Sequence, residues 1–284
     1  MDRSKSRYSS SAKTGFVLYA IACLIFFVFI RFPYDILKDK AEKAMSTALM
    51  GTVALGHVHS SLPMGISIEG ASFNTIPIAD RFDLSPGILS LFIGRATAEF
   101  EADLISGSID GRISTPLNDL GEHLNLTCVV NEMDFGSYTD IFPEDAQPKG
   151  IISGNIKLDC ESAAFEKAGG RVSFVWKGGQ MPIFIRTLPI NVITFETFEV
   201  NARMDKGVFT IDKAELNGDV SGSIKGSIHV RRNINHSRLN LSGEVMLPQG
   251  VVALLGIKRS SQDQGLRFTM RGTVGRPRLR WLKR

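Results

Sequence analysis

Apolar and polar residues change their spacing twice along this chain. From Thr14 to Ile30 there is no charged residue, and a helix over that run reaches about 26 Å at ~1.5 Å per residue. Arg31 and Phe32 extend it toward the ~30 Å hydrocarbon core of a bilayer, so residues 14–32 are expected to form a transmembrane helix. Pro33 to Met50 then repeats Ile36, Leu37, Ala41, Ala44, Met45, Ala48 and Leu49 at three- and four-residue spacing, with Lys38, Asp39, Glu42 and Lys43 opposite. That spacing predicts an amphipathic helix, opened by Pro33 and stopped by Gly51.

Beyond Gly51 the period falls to two. In residues 220–230 every even position is Val, Gly or Ile, and every odd one is Ser, Lys or His. This predicts a strand with one dry and one wet face. The same alternation places Ile105, Ile109 and Ile113 on one face, and likewise Ile152 with Ile156, Val220 with Ile224 and Ile228, Leu241 with Val245, and Phe268 with Met270. Many such strands are expected, separated by short turns such as Asp205-Lys206-Gly207 and Asn217-Gly218-Asp219.

A weak repeat runs through them: Ser106-Gly-Ser-Ile109, Ser153-Gly-Asn-Ile156, Ser221-Gly-Ser-Ile224, Ser242-Gly-Glu-Val245 and Arg271-Gly-Thr-Val274. Each inward glycine either kinks its strand or lets another group approach the sheet closely. The expectation is a mainly β fold, a long curled antiparallel sheet, with the twelve residues just named as candidate lining of an apolar groove. Met181–Ile190 and Pro248–Ile257 break the alternation and read either as core filling or as a cover over the groove. The organisation is then a basic tail over 1–13, a span over 14–32, an amphipathic helix over 33–50 and a β-rich domain over 51–284.

Charge orients this arrangement. The tail carries Arg3, Lys5, Arg7 and Lys13 against Asp2, so the positive-inside rule keeps the N-terminus cytoplasmic and places the β-rich domain across the membrane. A cleaved signal peptide is the alternative. Against it stand the length of the apolar run and its end, Phe-Val-Phe-Ile-Arg-Phe-Pro, which has no small-x-small cleavage site.

Most of the net charge of +4 resides in that tail, and the near-neutral remainder gives no footprint for nucleic acid. Charge is nevertheless segregated. Residues 99–145 hold eleven acidic residues and one base, Arg112, whereas residues 258–284 hold nine basic residues and one acid, Asp263. These are either two solvated faces or complementary ends that meet a partner or one another.

Candidate chemistry is sparse. Cys128 and Cys160 fall on the apolar parity of their strands, which leaves open a disulfide or two buried thiols. Two cysteines are too few for a structural zinc site, and His57-x-His59 has no third ligand placed by the sequence. Glu99, Glu101, Asp103 and Asp110 fall on wet positions or in turns. No nucleophile elbow, phosphate loop or metalloprotease helix motif occurs, so the chain reads as a non-enzyme that needs no cofactor or metal.

Four segments together carry a family resemblance. The span closes on Arg31-Phe-Pro-Tyr-Asp35. Gly51-x-Val-x-Leu-Gly-His-Val-x-Ser60 and Leu62-Pro-x-Gly-Ile-Ser-Ile-Glu-Gly70 follow, and the chain ends near Phe268-Thr-Met-Arg-Gly-Thr-Val-Gly-Arg-Pro-Arg-Leu279. In these the whole chain resembles the protein N family of the bacterial type II secretion system, in the long form of delta-proteobacteria and their relatives. It is also similar to the wider AsmA-like superfamily of inner-membrane proteins. The first resemblance implies a single-pass inner-membrane protein facing the periplasm, an accessory scaffold whose partners are other secretion-system envelope subunits. The second implies a periplasmic β-groove that handles lipid acyl chains. Neither implies catalytic residues.

Overall fold

The computed structural model describes residues 34–49, 51–61, 64–120, 122–142, 147–161, 168–182, 192–231, 233–247 and 265–282, with a few helical positions between 15 and 31. The expected span 14–32 lies largely outside the described residues. Among those described, no helix is long and apolar enough to cross a membrane. Pro33, Met50, residues 183–190 and residues 248–257 also lie outside them.

The amphipathic pattern forms helix α1, Tyr34–Leu49. Behind it come β1 (Val53–Ser61), β2 (Gly65–Phe73), β3 (Ile76–Pro86), a four-residue helix α2 (Ile88–Leu91), β4 (Arg95–Leu104) and β5 (Ser108–Pro116). Then follow β6 (His123–Asp134), β7 (Lys149–Glu161), β8 (Gly169–Pro182), β9 (Val192–Asp205) and β10 (Val208–Asn217). The last four strands are β11 (Ser221–His229), β12 (Arg238–Met246), β13 (Leu266–Thr273) and β14 (Arg276–Trp281). They make one antiparallel sheet in strict chain order, β1 to β14, that does not close on itself. Tight turns explain the meander. At β9–β10, Lys206 and Gly207 both take positive φ, 46° and 75°, the geometry of a two-residue hairpin turn matched to strand twist.

Both sheet edges are guarded. The amides of Val53 and Leu55 on edge strand β1 donate to Ser46 Oγ and Glu42 Oε1 of α1, each at 2.8 Å. Strand β14 instead carries Arg276, Arg278 and Arg280 alternating with Pro277 and Leu279. Charge and proline are common ways to blunt an exposed edge. Glu42→Ala is expected to free the Leu55 amide at a cost of about 1.5–3 kcal/mol, the range for a hydrogen bond to a charged group. Faster hydrogen exchange at Leu55, with β7–β9 unchanged, is the readout.

One connection ties distant strands together. The 3-10 segment Phe135–Ile141 joins β6 to β7, yet the Tyr138 hydroxyl donates to the Ile78 carbonyl of β3 at 3.3 Å. Three residues earlier, Phe135 packs on Trp176 of β8 with ring centroids 5.1 Å apart.

Candidate apolar binding face

Antiparallel partners present their side chains on the same face, so the strand register reads out each face directly. One row crosses all fourteen strands: Val58, Ile68, Phe82, Ala102, Ile109, Val130, Gly154, Phe174, Val200, Ala214, Ile224, Gly243, Phe268 and Trp281. No member is polar. A parallel row starts at Ile66 and continues through Leu84, Phe100, Gly111, Cys128 and Ile156 to Val172. It then runs through Ala202, Ile211, Gly226, Leu241 and Met270 to Leu279.

Two further rows flank these. Ile113, Leu126 and Leu158 continue to Met204, Phe209, Ile228 and Leu239. Ile152, Trp176, Phe198, Leu216, Gly222 and Val245 form the other. The opposite face is mainly polar, as in Glu99, Arg112, Thr127, Lys157, Arg171 and Arg203 on β4 to β9, with Val129 and Val175 as apolar exceptions.

Ten of the twelve candidate lining residues therefore share one face: Ile109, Ile113, Ile152, Ile156, Ile224, Ile228, Leu241, Val245, Phe268 and Met270. The other two lie outside the strands. Ile105 lies in the bend between β4 and β5, and Val220 lies in the turn before β11. Val220 is buried with Leu247 against Ile193, Leu216, Val245, Leu266 and Trp281, at one end of the sheet. The alternation runs on through both turns, so period alone assigns these residues to strands that stop short of them.

The described side chains fill the face only in part. Phe195, Val200, Phe268 and Trp176 are buried, whereas most of the ten lining residues are half-buried. Inward glycines help to keep it open. A Cβ on Gly111 would fall 2.1 Å from the ring of Phe100, one on Gly179 2.1 Å from that of Phe195, and one on Gly243 2.8 Å from that of Phe268. Each of these phenylalanines is the cross-strand partner of its glycine. The rings thus lie down across the sheet instead of standing into the groove. Between α1 and strands β1–β4 the face deepens into a cavity of about 370 Å³, walled by apolar side chains and by Lys38 of α1.

Cys128 and Cys160 are free thiols. Cys128 pairs with Ile156, whereas Cys160 pairs with Leu124, four residues away along β6. That offset is ~13 Å, beyond the ~7 Å Cα separation that a disulfide tolerates, so the bridge is ruled out in this register. Burial first, then the neighbouring charges of Asp110 and Asp159 respectively, pushes both thiols above their ordinary pKa, which keeps them protonated and unreactive at neutral pH. Alkylation of the unreduced chain is expected to reach buried Cys160 only after denaturation.

His57 and His59 stack on the polar side of β1, centroids 5.9 Å apart. Among the described residues no group of three His, Cys, Asp or Glu could hold a metal. Asp83, Glu101 and Asp110 stand opposite one another on the outer face of β3–β5. Burial works against the ionised form of Asp83, but hydrogen bonds from Arg81 and Ser67 outweigh it and hold the carboxyl below its usual range.

One surface was missed by the sequence reading. The β3–β4 connection, Gly87-Ile-Leu-Ser-Leu-Phe-Ile-Gly94, exposes Leu89, Phe92 and Ile93 at 83%, 85% and 76%. The signal was present as six largely apolar residues between two glycines, too short for a span and without strand alternation. Comparison with protein-family models, curated proteins and solved structures gives no match to the chain.

Proposed function

We propose that this chain holds lipid acyl tails on the apolar face of its open sheet, at a membrane that residues 14–32 enter. The observation that carries the reading is the unbroken apolar row from Val58 on β1 to Trp281 on β14, on a face that the described side chains fill only in part. Protein interiors are close-packed; a face that merely formed a core would bury most of its large side chains, whereas most of the ten lining residues here are half-buried. Thirteen inter-strand steps of ~4.8 Å make the path roughly 60 Å long. That is about four times the ~15 Å of one leaflet's hydrocarbon, room for several tails in series. The cavity under α1 is the mouth nearest the N-terminal apolar segment, and the polar outer face keeps the carrier wettable.

The reading agrees with the groove that the AsmA-like resemblance implies, in a bacterial inner membrane with the sheet in the periplasm. Its test is lipid extraction from the detergent-purified full chain, followed by mass spectrometry. Recovery of at least one phospholipid per chain is expected, and a lipid-free chain would overturn the reading.

A second reading, a scaffold for type II secretion envelope subunits, is favoured by one observation. Arg271, Arg276, Arg278 and Arg280 crowd the last hairpin, and none forms an ion pair with a described residue. Like charges set opposite each other are destabilising unless something acidic answers them. Replacing Arg276, Arg278 and Arg280 by glutamate should then abolish co-isolation of secretion subunits while leaving bound lipid unchanged. Co-isolation that survives the change would remove the support.

A further inference from the structure

We infer that the Gly87–Gly94 tip is a second membrane contact, dipping into the same bilayer that the N-terminal apolar segment enters and seating the sheet end-on upon it. The inference rests on the reading of residues 14–32 as a membrane segment, and it adds a surface that the groove reading does not require.

Two independent features point to it. The first is the tip itself. Scattered exposed leucines mean little, but here they cluster. Leu89, Phe92 and Ile93 are joined by Leu120 across the Leu117 amide, which donates to the Gly94 carbonyl at 2.9 Å. The four-residue helix α2 buries none of its residues. Nor is the tip a loose loop. The Gly87 amide donates to the Thr97 carbonyl at 2.8 Å, and the Ser90 hydroxyl bonds Thr97 Oγ1 at 2.6 Å. The fold therefore holds apolar side chains outward in a fixed arrangement, and such a patch marks an interaction surface.

The second feature is where the tip lies. Along α1, Glu42 meets Leu55 and Ser46 meets Val53: as helix numbers rise, strand numbers fall. Tyr34, at the start of α1, hydrogen-bonds Ser60 near the end of β1. The helix is therefore antiparallel to β1, and its first residue sits at the end of the sheet where β1 finishes. Because the strands alternate in direction, the β3–β4 connection lies at that same end, as does the β5–β6 connection with Leu120. The apolar segment that ends at Phe32 thus joins the sheet at the end that carries the tip. Its described apolar side chains, Phe16, Val17, Tyr19 and Phe27, are likewise exposed. Two apolar features on one end share one solvent, and the hydrocarbon edge of a bilayer is the solvent that suits both.

The test places an environment-sensitive nitrobenzoxadiazole label on the full chain. Leu89→Cys and, as a control at the opposite end of the sheet, Asn217→Cys are each made in a Cys23→Ser, Cys128→Ala background and reconstituted in phosphatidylcholine–phosphatidylglycerol vesicles. At position 89 the emission should shift to the blue, and lipids spin-labelled on the tail should quench it. At position 217 neither should occur. A label at 89 that behaves like the one at 217 overturns the inference. So does one shielded from aqueous iodide yet untouched by tail quenchers, because its cover is then a protein. The groove reading fails separately: if the tip label sits in lipid but the purified chain carries none, only the groove is lost, and the converse pair of results loses only the tip.

Discussion

Phe195→Ala is expected to destabilise the sheet by about 3–5 kcal/mol, the range for removing a buried phenylalanine. Phe195 is only 2% exposed. Its ring meets Trp176 edge-on at 5.1 Å and Phe198 at 5.9 Å, while Gly179 leaves the space beneath it. Trp176 in turn packs on Phe135, the start of the segment whose Tyr138 reaches back to β3. Losing the ring opens a void in the best-packed part of a protein that has few such parts. Phe195→Leu keeps much of the volume and should cost less than about 1.5 kcal/mol. Denaturant unfolding followed by far-ultraviolet circular dichroism separates the two. Equal stability of Phe195→Ala and the wild type would mean that this cluster does not hold the sheet together.

Val172→Asp should have the opposite profile, with folding kept and lipid lost. Val172 lies near mid-sheet between Ile156 and Ala202 on an inward row and is half-buried. In an open groove an aspartate there remains wet in the empty state, so the fold tolerates it. An acyl tail laid across it must strip that water and leave a charge unpaired, a penalty of several kcal/mol. Since 1.4 kcal/mol is tenfold in affinity, retention of lipid should fall at least about tenfold. If the face were a packed core instead, the same change would unfold the chain, and circular dichroism would show it.

Much of this was legible from residue alternation. Even-numbered positions from Gly222 to Ile228 face inward as read, α1 begins and ends within one residue of the expected Pro33–Met50, and the Lys206-Gly207 turn lies where its residues place it. Alternation has no means of showing where a strand stops, however. Ile105 and Val220 keep the right period through a bend, and only the strand pairing shows that the strands end before them.

Register also decided the cysteines. Both sit on apolar parity, yet the pairing of β6 with β7 sets them four residues out of step, and that offset is fixed by the connection between the strands, not by either strand's composition. The glycine–phenylalanine pairs were hidden for the same reason. Gly111 and Phe100 are visible separately in the sequence, but nothing local says that they are neighbours. The Gly87–Gly94 tip escaped because a largely apolar run ordinarily marks burial, and here the fold turns it outward.

The central claim, that the unbroken apolar row is a lipid-bearing surface, is tested most directly by a paired crosslinking measurement in cells. A photoreactive amino acid is placed at inward Ile224 or at its outward neighbour Lys225, and the purified full chain is weighed after irradiation. The account predicts a phospholipid-mass adduct at position 224 and none at position 225. Adducts at neither position, or equally at both, would contradict it.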